Sequence, residues 1–120
     1  MKESTAARSG PRMPMTLEGD LVVGSGAGAR TLRIVTCDLG PGGASIESPE
    51  PLGEGSAVTL QLEVSGAAAE APRLIALPAT VTRVEGENPC RLALTFAGAP
   101  PTLVEALKRF IFRARERARR

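Results

Sequence analysis

The sequence contains no histidine, tryptophan or tyrosine, and phenylalanine occurs only three times. Without histidine, the chain lacks the residue most often used for general acid–base catalysis and the commonest nitrogen ligand of metal sites. The remaining residues form no nucleophile–base pair, paired-carboxylate site or metal-ligand cluster that the sequence reveals. We therefore expect a protein that is not an enzyme and has no cofactor.

Long hydrophobic runs are also absent. No apolar stretch reaches the ~18 residues that a membrane span needs, and the first twelve residues, MKESTAARSGPR, lack the apolar core of a signal peptide. These absences predict no membrane span and a cytoplasmic location. The two cysteines, Cys37 and Cys90, form no C-x-x-C pair and lie in or beside apolar runs. They are expected to be reduced, buried small hydrophobes, with a disulfide or redox pair as the alternative.

What the chain does contain is enough apolar sequence for one small domain. Its 120 residues are 42% hydrophobic, and 13 glycines and 10 prolines call for many turns. Apolar residues recur with a period near two in several short segments, which is typical of half-buried strands. This composition favours a small β-rich binding module.

Six strands are predicted, with turn signals between them, and this pattern is typical of a β-barrel. One strand begins at Met13 and continues through residues 21–23 after Gly19 and Asp20. The others are predicted at residues 31–37, 57–64, 73–84 and 90–96, and a further short strand follows the segment 38–43. Pro78 lies inside the long fifth strand and predicts an edge position or a bulge there, since proline cannot donate to a sheet.

The period changes to that of a helix after Pro100 and Pro101. Thr102 and Glu105 have the spacing of a capping box, and an apolar stripe follows at Leu103, Leu107, Phe110, Ile111, Ala114 and Ala118. Because the stripe weakens after Ile111, the first two turns are expected to dock on the barrel. The predicted organisation is an arm at residues 1–12, a barrel at 13–99 and a helix at 100–120.

Charge is divided unevenly between these parts. Residues 103–120 carry seven Lys or Arg and two Glu, a net charge of +5, and the rest of the chain carries −3. The basic helix end is expected to be solvated, with binding of an acidic partner protein as the next alternative. No aromatic residue accompanies its arginines for base stacking, so no DNA or RNA partner is expected.

A glycine-rich run at residues 24–28 follows the first apolar strand. A dinucleotide-binding loop would need a helix immediately after it, because the helix N-terminus faces the pyrophosphate. Residues 31–37 are instead β-branched and alternating. The run is therefore predicted to be a hairpin loop.

Two further segments are candidates for ligand binding. Arg8 and Arg12, four residues apart in a non-helical segment, can close on one anionic planar ligand, or can be a solvated basic arm. Asp38, Gly40 and Gly43 lie between two predicted strands. There, Asp38 can accept hydrogen bonds from a guanine, or can belong to an Asx-type turn.

Taken together, these two segments resemble the PilZ domain family. The motif Arg8-x-x-x-Arg12 ahead of the first strand resembles the first family motif, and the segment from Asp38 to Gly43 resembles the second. The later strands and the helix are also similar to those of the family. The resemblance implies a mainly β fold, namely a six-stranded antiparallel β-barrel with a C-terminal α-helix. It also implies that the ligand is the bacterial second messenger cyclic di-GMP.

One position departs from the family pattern, because Gly40 occupies the place of a serine. A ligand-binding hydroxyl is therefore missing. The resemblance implies a receptor in which Arg8, Arg12, Asp38, Gly40 and Gly43 contact the ligand, and closure of the arginine arm changes the surface offered to an effector protein. The alternative is a ligand-independent adaptor that regulates motility, pili or exopolysaccharide machinery through protein contacts.

Overall fold

The computed structural model describes residues 12–24, 26–64, 73–87 and 89–118. These residues contain seven strands and one long helix, α1. The strands are β1 (Met13–Pro14), β2 (Glu18–Val23), β3 (Arg30–Leu39), β4 (Gly43–Ser48), β5 (Ala57–Val64), β6 (Arg73–Glu85) and β7 (Cys90–Phe96), and α1 covers Pro101–Ala118.

Six of the strands close into a barrel. Neighbouring strands follow the order β3-β2-β5-β6-β7-β4, β4 pairs back with β3, and every pairing is antiparallel. The two-residue strand β1 adds a short pairing to β3, where Met13 lies opposite Leu39. The predicted six-stranded antiparallel barrel with a C-terminal helix is confirmed.

The core is almost entirely aliphatic, as the scarcity of aromatic residues requires. Alternate residues of each strand point inward, and each buried leucine contributes roughly 1.5–3 kcal/mol relative to an exposed one. The largest fully buried apolar side chains are Leu21, Ile34, Leu39, Ile46, Leu60, Leu62, Leu77, Val81, Leu92, Leu94 and Leu107.

The first strand differs from the prediction, because the chain between Met13 and Val23 is broken into two strands. Thr36 on β3 bridges the break. Its buried hydroxyl donates to the carbonyl of Met15 at 2.6 Å and accepts from the N–H of Leu17 at 2.8 Å. The backbone N–H of Thr36 also donates to the Leu17 carbonyl at 2.8 Å. The Thr36 hydroxyl thus pairs with two backbone groups, the Met15 carbonyl and the Leu17 N–H, in a segment where regular strand pairing is interrupted.

Pro78 has no bulge, and the predicted edge position holds only locally, because no residue of β7 pairs with Pro78. Its strand, β6, has neighbours on both sides, Pro78 pairs regularly with Thr59, and the register shift lies farther on, between Val81 and Arg83. The carbonyl of Pro78 accepts a hydrogen bond from Ala97, just beyond the end of β7. The ring nitrogen of Pro78 faces the same side as this carbonyl. No strand residue of β7 lies opposite the nitrogen, because β7 ends at Phe96, so the N–H that proline lacks is not needed for pairing.

The glycine-rich segment forms the loop that was predicted. Gly26–Gly28 make a short 3-10 turn between β2 and β3, which pair as an antiparallel hairpin. Gly24 and Gly26 have φ of +84° and +67°, which other residues rarely adopt. No helix follows the loop, so it lacks the geometry of a dinucleotide site.

Helix α1 begins two residues earlier than the predicted capping box requires. The N–H groups of Leu103 and Val104 both donate to the carbonyl of Pro100, at 3.0 and 3.1 Å, and Thr102 therefore lies within the helix. Proline is favoured at the first helical position because its missing N–H has no partner there in any helix. Glu105 instead contacts Lys108 at 3.5 Å.

The helix docks by its second and third turns rather than its first two. Leu107 and Ile111 are buried in the core, and Leu103 and Phe110 are partly buried against it. Phe112, on the opposite side, is 60% exposed. None of the helices in the described part of the chain is long and apolar enough to cross a membrane.

The two cysteines are free, but only Cys90 is buried as predicted. Cys37 is half-buried, because it lies in a region of β3 where the regular alternation is interrupted.

Replacing Leu107 with alanine tests how strongly the helix docks on the barrel. We expect Leu107→Ala to lower the free energy of unfolding by about 2–5 kcal/mol, because it leaves a cavity in the core. The matched change Phe112→Ala, on the exposed side of the same helix, should alter it by less than about 0.5 kcal/mol. Urea denaturation of both variants measures the difference, and equal effects would contradict the docking.

Candidate functional site

An irregularity in β3 places Asp38 on the outer surface of the barrel. Thr36 pairs with Ile46 and Asp38 pairs with Ser45, so β3 has one more residue than β4 in this stretch, namely Cys37. Such a bulge bends the strand and redirects the side chains around it. The result is a carboxylate beside the β3–β4 turn, with its side chain 31% exposed.

The Asp38 carboxylate joins two parts of the chain. Its Oδ1 accepts a hydrogen bond from the N–H of Ser45 at 3.1 Å and an ion-paired hydrogen bond from Nη1 of Arg12 at 3.3 Å. It therefore links β4 to the segment ahead of β1. Of the two alternatives for Asp38, the Asx-type turn is not the one observed, because its partners are 7 and 26 residues away.

Arg12 lies against the barrel beside the β3–β4 turn. Its side chain is 25% exposed, and its Nε is buried without a hydrogen-bond partner among residues 12–118 that the structure describes. A buried guanidinium donor without an acceptor is costly, since hydrogen bonds to charged groups contribute about 1.5–3 kcal/mol. An acceptor that reached Nε would therefore be bound favourably.

Gly43 makes this position of Arg12 possible. A Cβ atom at Gly43 would lie 3.0 Å from Nη2 of Arg12 and would collide with the carbonyl oxygen of Leu94 on β7. A side chain here would have to displace the guanidinium or separate β4 from β7. Glycine is thus required by close packing, and not by a positive φ.

The turn between β3 and β4 is narrow and glycine-rich. The N–H of Gly40 donates to the carbonyl of Gly43 at 2.9 Å, and Gly42 accepts from Phe96 at 2.9 Å. Gly40 itself is buried. Hydrogen bonds therefore close the turn and also attach it to the end of β7, beside Asp38 and Arg12.

The structure thus brings together four of the five predicted site residues: Arg12, Asp38, Gly40 and Gly43. Arg8 lies outside the described residues. Sequence reasoning missed Ser45, whose N–H orients Asp38, and Leu94, whose carbonyl excludes a side chain at Gly43. Both follow from strand register, which the motif spacing alone does not contain.

Next to the site, Cys37 is surrounded by charged groups. Burial raises the pKa of the Cys37 thiol, Arg91 lowers it through its charge, and the carboxylates of Glu47 and Asp38 raise it. The net effect is a pKa above the ordinary value, so this thiol is protonated at neutral pH and weakly nucleophilic. The described residues contain no group of three or more Asp, Glu, Cys or His side chains that could hold a metal ion.

Two open clefts lie elsewhere on the barrel. One, of about 390 Å³, is lined by small residues of β5 and β6 around Pro78, and the other, of about 370 Å³, lies beside Glu18 and Arg33. Neither is lined by Arg12, Asp38 or Gly43. These two clefts are therefore separate from the candidate site.

Comparison with known families decides the identity of the domain. The family described as "PilZ domain" matches residues 6–113, which includes both arginines and the whole segment from Asp38 to Gly43. The chain belongs to the PilZ domain family. No curated protein matches the chain.

Solved PilZ structures share the fold of this chain. The Bacillus subtilis inhibitor of motility MotI/DgrA has a TM-score of 0.70 at 18% identity, over 91% of this chain and 51% of its own. The PilZ domain of CeSA from a cellulose-synthesizing bacterium has 0.65 at 20%, over 88% and 98%. YcgR from Escherichia coli, in complex with c-di-GMP, has 0.65 at 23%, over 91% and 46%. The chain thus spans about half the length of MotI and YcgR.

A substitution at Gly43 tests the close packing of this site. We expect Gly43→Ala to destabilise the PilZ domain by about 1–3 kcal/mol, because Leu94 and Arg12 must both move. Gly53→Ala is the matched control, since the nearest atom to its Cβ is Oγ of Ser56 at an ordinary 3.7 Å. Thermal or urea unfolding measures both, and a Gly43→Ala variant as stable as Gly53→Ala would contradict the packing argument.

Proposed function

We propose that this PilZ protein is a cytoplasmic, non-enzymatic receptor for cyclic di-GMP. In this proposal, Arg8 and Arg12 close on the ligand over the floor formed by Asp38, Gly40 and Gly43. Closure changes the surface that the domain presents to an effector protein. The observation that carries the proposal is the position of Arg12, held over Gly43 by Asp38 with a buried Nε that has no acceptor among the described residues.

The groups at the site match the chemistry of a guanine dinucleotide. A guanidinium binds phosphate through paired hydrogen bonds and stacks on the face of a planar base. An exposed carboxylate accepts from the N–H donors of guanine, which neither adenine nor a pyrimidine presents in the same arrangement. Arg12 and Asp38 supply one group of each kind, and their separation of 3.3 Å allows one ligand to contact both.

The ion pair between Arg12 and Asp38 also explains how a ligand phosphate could replace Asp38 as the partner of Arg12. Both side chains remain partly exposed, so their interaction is screened by water and worth only a little in stability. A phosphate can therefore compete for Arg12 at modest cost. Asp38 stays in place during this exchange, because the N–H of Ser45 continues to hold it.

The complex of YcgR with c-di-GMP supports the proposal by example. YcgR is 23% identical to this chain and is an example of a protein with this fold that binds the ligand. It does not identify which residues of this chain would contact the ligand. The residue-level support comes from the match of the family over residues 6–113 and from the geometry of Arg12, Asp38 and Gly43.

A ligand-independent adaptor is the second candidate, and Gly40 is the observation that favours it. Glycine supplies no hydroxyl to the ligand, and Arg12 already has a partner in Asp38. In that role the barrel would regulate motility, pili or exopolysaccharide machinery through protein contacts alone. MotI, an inhibitor of motility, is a protein of similar fold.

Titration of the purified protein with cyclic di-GMP separates the two functions. We expect saturable binding that weakens by about 100-fold or more in the Arg8→Ala/Arg12→Ala double variant, since two charge-assisted contacts are lost. Asp38→Ala should cost less, about tenfold, because one acceptor is removed. Isothermal titration calorimetry gives the affinities.

Arg83→Ala is the control for that titration, because Arg83 pairs with Glu85 on β6 and is exposed. It should bind like the parent protein. Absence of heat and of thermal stabilisation at millimolar ligand would exclude the receptor and leave the adaptor.

Restoring the missing hydroxyl gives an independent test. Gly40→Ser should tighten cyclic di-GMP binding by about tenfold, because a hydrogen bond to a polar or anionic ligand group contributes roughly 0.5–3 kcal/mol. The same titration measures the change, and a melting curve checks that the variant remains folded. Unchanged affinity in a folded variant would show that position 40 does not contact the ligand.

A further inference from the structure

We propose that Arg91 on β7 is a third arginine contact to cyclic di-GMP, binding the phosphate that lies farther from Arg12. This inference rests on the proposed function. It concerns a residue outside both PilZ motifs, and it extends the binding face from the β3–β4 turn across β4 to β7.

Strand register places Arg91 on the same outer face as Asp38. Asp38 pairs with Ser45 on β4, and Ser45 pairs with Ala93 on β7. Arg91 is two positions from Ala93 and therefore points to the same side of the sheet. Two strand spacings of about 4.8 Å each separate β3 from β7, a width that a long arginine side chain and a dinucleotide can bridge together.

The surface between Asp38 and Ala93 is low. Ser45 and Ala93, which pair with each other across β4 and β7, both have small side chains and are half-buried. Glu47 and Arg91 pair with each other one row farther along the same two strands. A flat ligand can therefore lie over Ser45 and Ala93, with Glu47 and Arg91 along its border.

The electrostatics of Cys37 join the two ends of this face. The charges of Arg91, Glu47 and Asp38 all act on its thiol, so these groups lie near it on this surface. Arg12 is linked to the same region through its ion pair with Asp38. The two guanidinium groups therefore border the same part of the barrel, Arg12 through Asp38 and Arg91 beside Cys37.

Arg91 is also more available than the other strand arginines whose side chains are described. Its nearest carboxylate, on Glu47, is 4.0 Å away, and its side chain is 54% exposed. In contrast, Arg30 binds both carboxylate oxygens of Glu50 at 2.7 and 3.0 Å. Arg33 is held between Glu18 and Asp20 at 3.1 and 3.0 Å. A phosphate at Arg91 would displace the long contact to Glu47 and compete with the interaction between Arg91 and the Cys37 thiol.

The test compares Arg91→Gln with Arg30→Gln in calorimetric titrations with cyclic di-GMP. Glutamine keeps the stem and a polar end but removes the charge, and Arg30 is a matched exposed arginine, paired with Glu50, at the far end of β3 from Asp38. We expect Arg91→Gln to weaken binding by about five- to thirty-fold, in keeping with loss of one charge-assisted contact, and Arg30→Gln to change it less than about twofold. Arg91→Lys should recover part of the loss, because it restores the charge without the paired geometry.

Salt dependence gives a second readout that a structural role would not change. The affinity of Arg91→Gln should fall less steeply with added salt than that of the parent protein, since one cation–phosphate contact is gone. Parent-like affinity of Arg91→Gln, or an equal loss in Arg30→Gln, would overturn the inference while the receptor function stands. Failure of the parent protein itself to bind would overturn the receptor function and the inference with it.

Discussion

Closure of the barrel on β3 is the constraint from which the other features of this domain follow. This strand pairs with β1, β2 and β4, so it forms the seam where the sheet meets itself. A closed sheet leaves no free edge but requires its strands to bend. The extra residue in β3 at Cys37 provides local bending, and it lies directly before Asp38. The same irregularity that helps to close the barrel thus presents the carboxylate of the candidate site.

The seam also explains why glycine is needed beside it. Strand β4 reaches both β3 and β7, and at its first residue the backbone of β7 comes too close for a side chain. Arg12 occupies the remaining space over Gly43. Packing of the barrel and the position of Arg12 at the candidate site therefore share one requirement, a glycine at residue 43.

Sequence periodicity predicted the fold well because most strands bury one face. Residues 57–64 and 90–96 alternate cleanly, and the structure has strands over those same residues. The prediction was incomplete where side chains from distant segments decide the outcome. The break between Met13 and Val23 depends on the Thr36 hydroxyl, and the place of Pro78 depends on where β7 ends. Neither relation is visible within a short window of sequence.

In the candidate site, too, the sequence predicted some residues and not others. The two motifs identified Arg12, Asp38 and Gly43 by residue type and spacing, and the structure brings these three together. Their supporting contacts, from Ser45 and Leu94, required the register of three strands. The proposed role of Arg91 has the same origin, because only the pairing of β4 with β7 places it near Cys37.

The hydrogen bonds of Thr36 have a consequence for how the two arginines of the first motif can cooperate. By fixing residues 15–17 against β3, they fix the point from which the preceding chain starts. Arg8 is four residues from Arg12 in the sequence, and four residues of fully extended chain span at most about 14 Å. A tether of this length corresponds to an effective concentration in the millimolar range or above. In the proposed receptor, the tether rather than diffusion would bring the second arginine to a ligand already bound at Arg12.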